Sequence, residues 1–157
     1  MKWLSFNCRG MASAPKKLAL RRLFDSEIVD IIFLQETFGE AILTSCTFCS
    51  LKPGWIFQSL DVIRRFVGLA MGYNPHTINF KVSRGGAGFI GMHIFSSELG
   101  MDLRLINLYG PCQNREDFWN RLLNLSLTSL DNLILGPELL HRFWGILGDK
   151  CTGGFTY

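Results

Sequence analysis

The feature that most constrains this chain is the run Ile28–Thr37, which reads IVDIIFLQET. A nearly continuous apolar run of this kind is typical of a strand buried on both faces of a sheet. The run closes on a carboxylate, Glu36, and α/β sheets usually place their chemistry at the carboxyl ends of strands. A second strand-like run, Lys2–Asn7, closes on the amide of Asn7. If the two strands are neighbours, these side chains form half of a site for a hard divalent cation.

The composition is that of a single folded domain. A length of 157 residues is enough for one domain with a sizeable core. With 48% apolar and 18% charged residues, an intrinsically disordered chain is excluded. No apolar run approaches the roughly 18 residues of a membrane helix, so no membrane partner is expected. Asn7 and Arg9 interrupt any apolar region of a secretory signal.

Charge and cysteine content indicate an intracellular protein, in the cytoplasm or the nucleus. The formal charge of +3 permits a polyanionic partner without requiring one. The densest basic group, between Lys16 and Arg22, is more typical of a solvated helix face than of a phosphate-binding track. The five cysteines form no disulfide framework. Cys46 and Cys49 make a lone Cys-x-x-Cys without a second pair at zinc spacing, so reduced thiols are expected and a metal role is the minor alternative.

Hydrophobic periodicity predicts an α/β chain. Strand Lys2–Asn7, an amphipathic helix from Pro15 to Phe24 and strand Ile28–Leu34 form a crossover unit, whose two strands should be parallel. The segments Thr77–Val82 and Gly88–Phe95 suggest an antiparallel pair. Cys46–Phe57 is expected to be looser, with a short strand at its end. The remaining predicted elements are strands at Trp55–Phe57, Val67–Tyr73, Leu103–Tyr109 and Leu133–Leu135 and a helix at Arg115–Leu127.

Asn7, Glu36 and Tyr109 each stand at the end of a predicted strand. Magnesium prefers oxygen ligands and is often held by one or two carboxylates plus substrate phosphate. Glu36 is suited to be that carboxylate, and Asn7 to orient it or to contact the metal shell. The Tyr109 hydroxyl is suited to stabilise charge on a phosphoryl oxygen. Taken singly, such residues are more often loop contacts, or a core tyrosine with a wet tip.

The segments around these residues carry a resemblance to a known family. Ser5–Gly10 (SFNCRG), Phe33–Thr37 (FLQET) and Asn107–Pro111 (NLYGP) closely resemble the endonuclease/exonuclease/phosphatase superfamily. Within this superfamily, the three segments are most similar in sequence to the endonuclease domain of plant non-LTR (LINE-type) retrotransposons, and Arg115 and Phe118-Trp119 fit that group. The resemblance covers residues 1–135. It implies a phosphodiesterase that nicks DNA and uses Mg²⁺ or Mn²⁺.

The chain also departs from that family. Where the family has Gly-Asp-x-Asn, this sequence has Gly136–Leu140 (GPELL), so Glu138 takes the catalytic Asp position in degenerate form and Leu140 the Asn position. A later Gly148-Asp149 is followed by Lys150-Cys151. The family's terminal Ser-Asp-His has no counterpart. We therefore expect residues 1–157 to be a single, C-terminally truncated domain that is inactive as a nuclease.

A third pattern competes with this interpretation. Gly86–Gly91 (GAGFIG) satisfies the dinucleotide-binding Gly-x-Gly-x-x-Gly. That motif needs a helix opening at the third glycine and an acidic residue about 20 positions on, where this chain has Asn107. No nicotinamide cofactor is therefore expected.

The fold expected is α/β, a partial two-sheet sandwich that is incomplete at the C-terminus. The catalytic candidates are Asn7, Glu36, Tyr109 and Glu138, with Glu36 and Asn7 also on the metal. The alternative function is a non-catalytic remnant that binds nucleic acid or a protein partner.

Overall fold

The computed structural model describes residues 1–61, 68–86, 88–110, 115–124 and 132–136. Eight strands and three helices lie in these ranges. In chain order they are β1 (Trp3–Asn7), α1 (Ala14–Ser26), β2 (Ile31–Gln35), α2 (Ala41–Leu51), β3 (Ile56–Leu60), β4 (Leu69–Tyr73), β5 (Ile78–Gly86), β6 (Phe89–Ser96), β7 (Met101–Leu108), α3 (Arg115–Leu123) and β8 (Leu133–Leu135).

The strands form two four-stranded sheets. The first has the order β1-β2-β4-β3 and the second the order β5-β6-β7-β8. β1 and β2 are parallel, as the strand-helix-strand pattern predicts, and β7 and β8 are the other parallel pair. β5 and β6 form the predicted antiparallel pair. The predicted two-sheet α/β fold is confirmed.

The main core lies between the sheets and follows strand alternation. On β2, Ile31 and Phe33 face the second sheet, while Ile32 and Leu34 face the helices. Both sets are 1% exposed or less, which explains why the β2 sequence is apolar without alternation. Under α1 and α2, a second core is built on Phe24, Phe48 and Phe57, whose rings pack against one another.

Helix α2 is the main departure from the sequence prediction, which expected loose structure from Cys46 onward. Its sequence, AILTSCTFCSL, has no charged residue and no clear polar stripe, so periodicity gives no helix signal. Thr44, Phe48 and Leu51 face the core, whereas Ile42 and Leu43 are 78% and 63% exposed. The helix therefore carries apolar side chains on both of its faces.

Gly86 is the last residue of β5 and Gly91 lies within β6, so the first and last glycines of the dinucleotide-binding pattern lie on two antiparallel strands. The residues that would have to open a helix, from Phe89 onward, form β6 and pair with β7 from Phe89↔Leu108 to Ser96↔Met101. Because a dinucleotide site needs a helix N-terminus there, the dinucleotide-binding alternative is wrong.

Two further observations concern the first residue of β2 and the length of the helices. β2 begins at Ile31 rather than Ile28, whose side chain is 88% exposed. Among the described residues, no helix has the length and apolar character to cross a membrane.

Candidate active site

The parallel pairing of β1 and β2 brings Asn7 and Glu36 to one edge of the first sheet. Asn7 is the last residue of β1 and is paired with Gln35, so Glu36 follows directly beyond the register. The Asn7 side-chain nitrogen donates to Glu36 Oε1 over 2.9 Å. Tyr109 follows β7 in the other sheet, and its hydroxyl donates to the same Oε1 over 3.0 Å. The structure therefore brings the three predicted residues together in a half-buried cluster.

Asn7 is held from both sides of its amide. Its Oδ1 accepts the backbone N–H of Arg9 over 3.0 Å, while its nitrogen donates to the Glu36 carboxylate. A carboxylate only accepts and a backbone N–H only donates, so the two neighbours fix which end of the amide is which. Asn7 thus orients Glu36, and any contact of Asn7 with a cation has to come through its oxygen, which stays a prediction.

The backbone at Glu36 is in the left-handed region, with φ of +52°. This conformation is uncommon for a residue other than glycine, and such residues cluster at functional sites. Hydrogen bonds hold the segment on both sides. The Glu36 carbonyl accepts the N–H of Gly10 over 2.8 Å, and the Gln35 carbonyl accepts the N–H of Cys8 over 2.8 Å. On the other side, the Thr37 N–H donates to the carbonyl of Gly68 over 3.3 Å. The loops after β1 and β2 therefore support each other around the carboxylate.

Cys8 is the first residue of the loop after β1, and it is 5% exposed. Burial raises the pKa of its thiol to about 12, the positive charge of Lys16 opposes that rise, and the negative charge of Glu36 adds to it. The thiol is therefore neutral at physiological pH. A neutral thiol is neither a nucleophile nor a metal ligand.

The donor set around Glu36 fits a magnesium-type cation. Its Oε1 accepts two hydrogen bonds, and none of the described residues donates to Oε2. No group of three or more His, Cys, Asp or Glu side chains able to hold a metal occurs in the described ranges. Zn²⁺ sites need such a group, whereas Mg²⁺ is held by one or two carboxylates together with water and phosphate.

Glu138, the fourth candidate, lies outside the described residues. The last described residue before it is Gly136, whose N–H donates to the carbonyl of Ile106 over 2.7 Å. A Cβ on Gly136 would stand 3.2 Å from Asn107 Oδ1 and 3.3 Å from its Cα, so the close approach to β7 favours glycine. β8 consequently ends beside Ile106 of β7, three residues before Tyr109.

Sequence reasoning gave no site role to Gln35 and Asn107, which lie directly behind the cluster. They are 1% and 0% exposed and hydrogen-bond each other across the sheets. One signal was available: Ile31, Phe33 and Gln35 alternate along β2, so Gln35 is a polar residue at an inward position.

Comparisons with known proteins agree on the fold. No family model matches the sequence, and no curated protein matches it. Among solved structures, a mannosyl-6-phosphatase of Bacteroides thetaiotaomicron superposes with a TM-score of 0.64 at 13% identity, covering 86% of this chain and 63% of that one. An endonuclease/exonuclease/phosphatase family protein of the same organism gives 0.59 at 12% identity, covering 78% and 55%. This chain has the endonuclease/exonuclease/phosphatase fold.

The endonuclease/exonuclease/phosphatase fold is shared with a retrotransposon protein. The endonuclease domain of TRAS1, a telomere-specific non-LTR retrotransposon, superposes with a TM-score of 0.60 at 13% identity, covering 85% of this chain and 58% of that one. The chain thus spans between about half and two thirds of the length of these neighbours. At such identities the likeness establishes the fold and leaves the activity to the residues of the site.

Proposed function

We propose that this chain is a divalent-metal-binding, phosphodiesterase-like domain of the kind that acts on DNA in non-LTR retrotransposons of plant LINE type. The observation that carries the proposal is the Glu36 carboxylate, one oxygen of which is held by Asn7 and Tyr109. Those two donors come from the sides of opposite sheets, and within the described part of the chain no donor contacts the second oxygen, which would hold the cation. Mg²⁺ or Mn²⁺ is the expected cofactor.

In this proposal each residue of the cluster has a distinct task. Glu36 supplies the carboxylate that holds the cation, and Asn7 sets the rotation of that carboxylate. Tyr109 donates to the same oxygen and so holds the carboxylate from the side of the second sheet. The chemistry that a bound divalent cation supplies in phosphodiester hydrolysis is neutralisation of phosphate charge and stabilisation of the leaving oxygen.

DNA is the proposed partner because of the fold neighbours and the charge beside the cluster. One of the neighbours is the endonuclease domain of a retrotransposon. Arg9 and Lys16, both exposed, stand on the loop and helix that follow Asn7. The Lys16 ammonium donates to the carbonyls of Arg9 and Gly10, so its charge is fixed over that loop. Two positively charged side chains beside the proposed metal-ion site favour the approach of a phosphate backbone.

We further propose that the 157-residue chain by itself binds without cleaving. Leu140 cannot hydrogen-bond a phosphate, Glu138 is one methylene longer than Asp, and Ser-Asp-His does not occur in the sequence. Loss of a positioned base or of its orienting partner typically costs about 10²–10⁴-fold each, without simple additivity. Binding of DNA without nicking would favour the non-catalytic alternative as the biological role.

Metal binding and cleavage are tested separately. The melting temperature is measured with Mn²⁺ or Mg²⁺ for the wild type, for Glu36→Gln and for Glu27→Gln, a matched control at an exposed carboxylate beyond α1. The proposal expects a metal-dependent rise that only Glu36→Gln abolishes. An equal rise in all three proteins would reject Glu36 as the ligand.

For cleavage, supercoiled plasmid incubated with the protein and Mg²⁺ is expected to remain closed. Nicking that disappears in Glu36→Gln would show that the chain is an active nuclease. Nicking that persists in that variant would indicate a contaminating enzyme.

A further inference from the structure

A pair of buried carboxamides spans the two sheets just behind the cluster. Gln35 ends β2 and Asn107 lies near the end of β7, and both side chains point into the space between the sheets. Along these strands the preceding inward positions are apolar, namely Ile31 and Phe33 on β2 and Leu103 and Leu105 on β7. The sandwich therefore changes from an apolar core to a polar layer at the level of the site.

Every N–H of the two side-chain amides is used. Gln35 Nε2 donates to Asn107 Oδ1 over 3.3 Å and to the carbonyl of Leu108 over 2.8 Å. Asn107 Nδ2 donates to the carbonyls of Leu34 over 2.9 Å and Ala70 over 3.0 Å. All these bonds cross from one sheet to the other. A buried polar network whose donors are all satisfied rigidifies the structure and specifies one arrangement.

The backbone positions tied by this network are those that precede the site residues. Gln35 is bonded to Glu36, and Leu108, which Gln35 holds through its carbonyl, is bonded to Tyr109. Glu36 and Tyr109 then meet at 3.0 Å. Because one covalent step separates each anchor from its functional side chain, a slip of one sheet over the other would separate Tyr109 from Glu36.

An apolar core alone fixes this spacing less sharply than the carboxamide pair does. Apolar contacts are non-directional, and their favourable free energy follows the buried area rather than the angle between particular atoms. Hydrogen bonds lose strength steeply when distance or angle departs from the optimum. Catalytic and metal sites require placement within about 0.5 Å, which directional bonds provide.

From these contacts we infer that Gln35 and Asn107 are positioning residues that set the register between Glu36 and Tyr109. They act through the backbone and touch neither substrate nor cation. The inference deepens the proposed function, on which its metal-binding consequence rests. The geometric part, that the carboxamide pair holds the Tyr109–Glu36 contact, stands without any metal.

The test uses the full chain with ¹³C-labelled tyrosine ring carbons. The sequence has three tyrosines, Tyr73, Tyr109 and Tyr157, so the Cζ signal of Tyr109 is assigned by Tyr109→Phe. Glu36→Gln gives the signal position when the charged acceptor is absent. Gln35→Met keeps the length of the side chain and removes its amide. We expect Gln35→Met to move the Tyr109 signal most of the way to its position in Glu36→Gln.

A control separates positioning from general destabilisation. Ile94→Ala removes an equally buried side chain of β6, 0% exposed, that takes no part in the network. It should lower the melting temperature and leave the Tyr109 signal in place. A folded Gln35→Met protein with an unmoved Tyr109 signal would overturn the inference.

Asn107→Ser and Gln35→Ala, which leave room for water, cover the case in which Gln35→Met does not fold. If every carboxamide variant fails to fold while Ile94→Ala folds, the pair serves general stability and the inference is rejected. Mn²⁺ is added last, and its effect on the melting temperature should be lost in the variants whose Tyr109 signal moves. A wild type without any Mn²⁺ effect would defeat the proposed function alone, because the Tyr109 signal is read without metal.

Discussion

The Tyr109 hydroxyl donates to Glu36 Oε1 over 3.0 Å although the two residues are 73 positions apart in the chain. Tyr109 directly follows β7 of the second sheet and Glu36 directly follows β2 of the first, so this bond joins the two sheets at the site. Asn7 donates to the same oxygen from within the first sheet. The carboxylate is thus held by both layers of the sandwich, and its position reports how they are aligned.

Removal of the Tyr109 hydroxyl should have a measurable cost. In Tyr109→Phe the charged acceptor loses one of its two donors, and hydrogen bonds to charged groups contribute roughly 1.5–3 kcal/mol. Because the pair is half-buried, we expect a loss of about 1 kcal/mol in the free energy of unfolding by urea. Tyr73→Phe is the matched control, since no hydrogen bond joins its hydroxyl to the described residues. Equal losses in both variants would contradict a specific role for the Tyr109–Glu36 bond.

Cys8 should be chemically silent in the folded protein. Burial raises the pKa of its thiol to about 12, so at about pH 8 the reactive thiolate is nearly absent. Cys46 and Cys49 are exposed free thiols on α2. Alkylation followed by peptide mapping should label Cys46 and Cys49 rapidly, and Cys8 only after unfolding. Labelling of Cys8 at the rate of Cys46 would show that the loop that carries Cys8 opens readily.

The same thiol makes stability depend on alkaline pH. The ordinary pKa of the thiol is 9.0, and the pKa of Cys8 in the folded protein is about 12. At a pH between these two values, the thiol has lost its proton in the unfolded chain and keeps it in the folded protein. The contribution is therefore fully present below pH 9 and falls as the pH rises toward 12. The stability difference between wild type and Cys8→Ala, measured in urea, should shrink between about pH 8 and about pH 10. A difference that stays constant over this range would contradict the raised pKa.

Much of the fold could be predicted because its strands carry strong local signals. β2 is apolar on both faces, and the Lys2–Asn7 and Leu103–Tyr109 runs end in polar groups. Since strand ends meet at sheet edges, the sequence also indicated that Asn7, Glu36 and Tyr109 lie together. Strand order accounts for this expectation at Asn7 and Glu36, whereas for Tyr109, which follows a strand of the second sheet, it also rested on the family resemblance.

The parts that sequence reasoning missed depend on tertiary contacts. Helix α2 lacks a polar stripe, and its helical state depends on Phe48 and Leu51 packing against the first sheet. The Gln35–Asn107 pair is visible only when two strands from different sheets face each other. The left-handed backbone at Glu36 likewise depends on Gly10 from the neighbouring loop. No local pattern encodes these relationships.

Gly72 should resist substitution because it makes room for an aromatic ring on the neighbouring strand. Gly72 on β4 is paired with Phe57 on β3, and a Cβ at Gly72 would stand 2.3 Å from Phe57 Cε1. The ring is packed against Phe24 and Phe48 and cannot retreat freely. We expect Gly72→Ala to cost about 1–3 kcal/mol of unfolding free energy through overpacking.

A comparison with Gly85 isolates that cause. A Cβ at Gly85 would meet the flexible end of Leu60, so Gly85→Ala should cost less than Gly72→Ala. Gly72→Ala should cost less unfolding free energy when it is introduced into Phe57→Leu than when it is introduced into the wild type. Strict additivity of the two changes would show that the ring is not the obstacle.

Replacement of Asn7 by Asp tests the cluster as a whole. The nitrogen of Asn7 donates to Glu36 Oε1 over 2.9 Å, so Asn7→Asp exchanges an attractive hydrogen bond for two carboxylates in contact. Two such groups cannot both be charged without a cost, and one of them takes up a proton more readily. The variant should therefore be less stable than the wild type at neutral pH, and the deficit should shrink as the pH falls and the pair is protonated.

A divalent cation offers a second way to reduce the repulsion, because two adjacent carboxylates form a stronger oxygen site than one. We expect Mn²⁺ to raise the melting temperature of Asn7→Asp by more than that of the wild type, whereas Asn7→Leu should lose stability at every pH without gaining metal response. A deficit in Asn7→Asp that neither acid nor Mn²⁺ relieves would mean that the two side chains do not share one site.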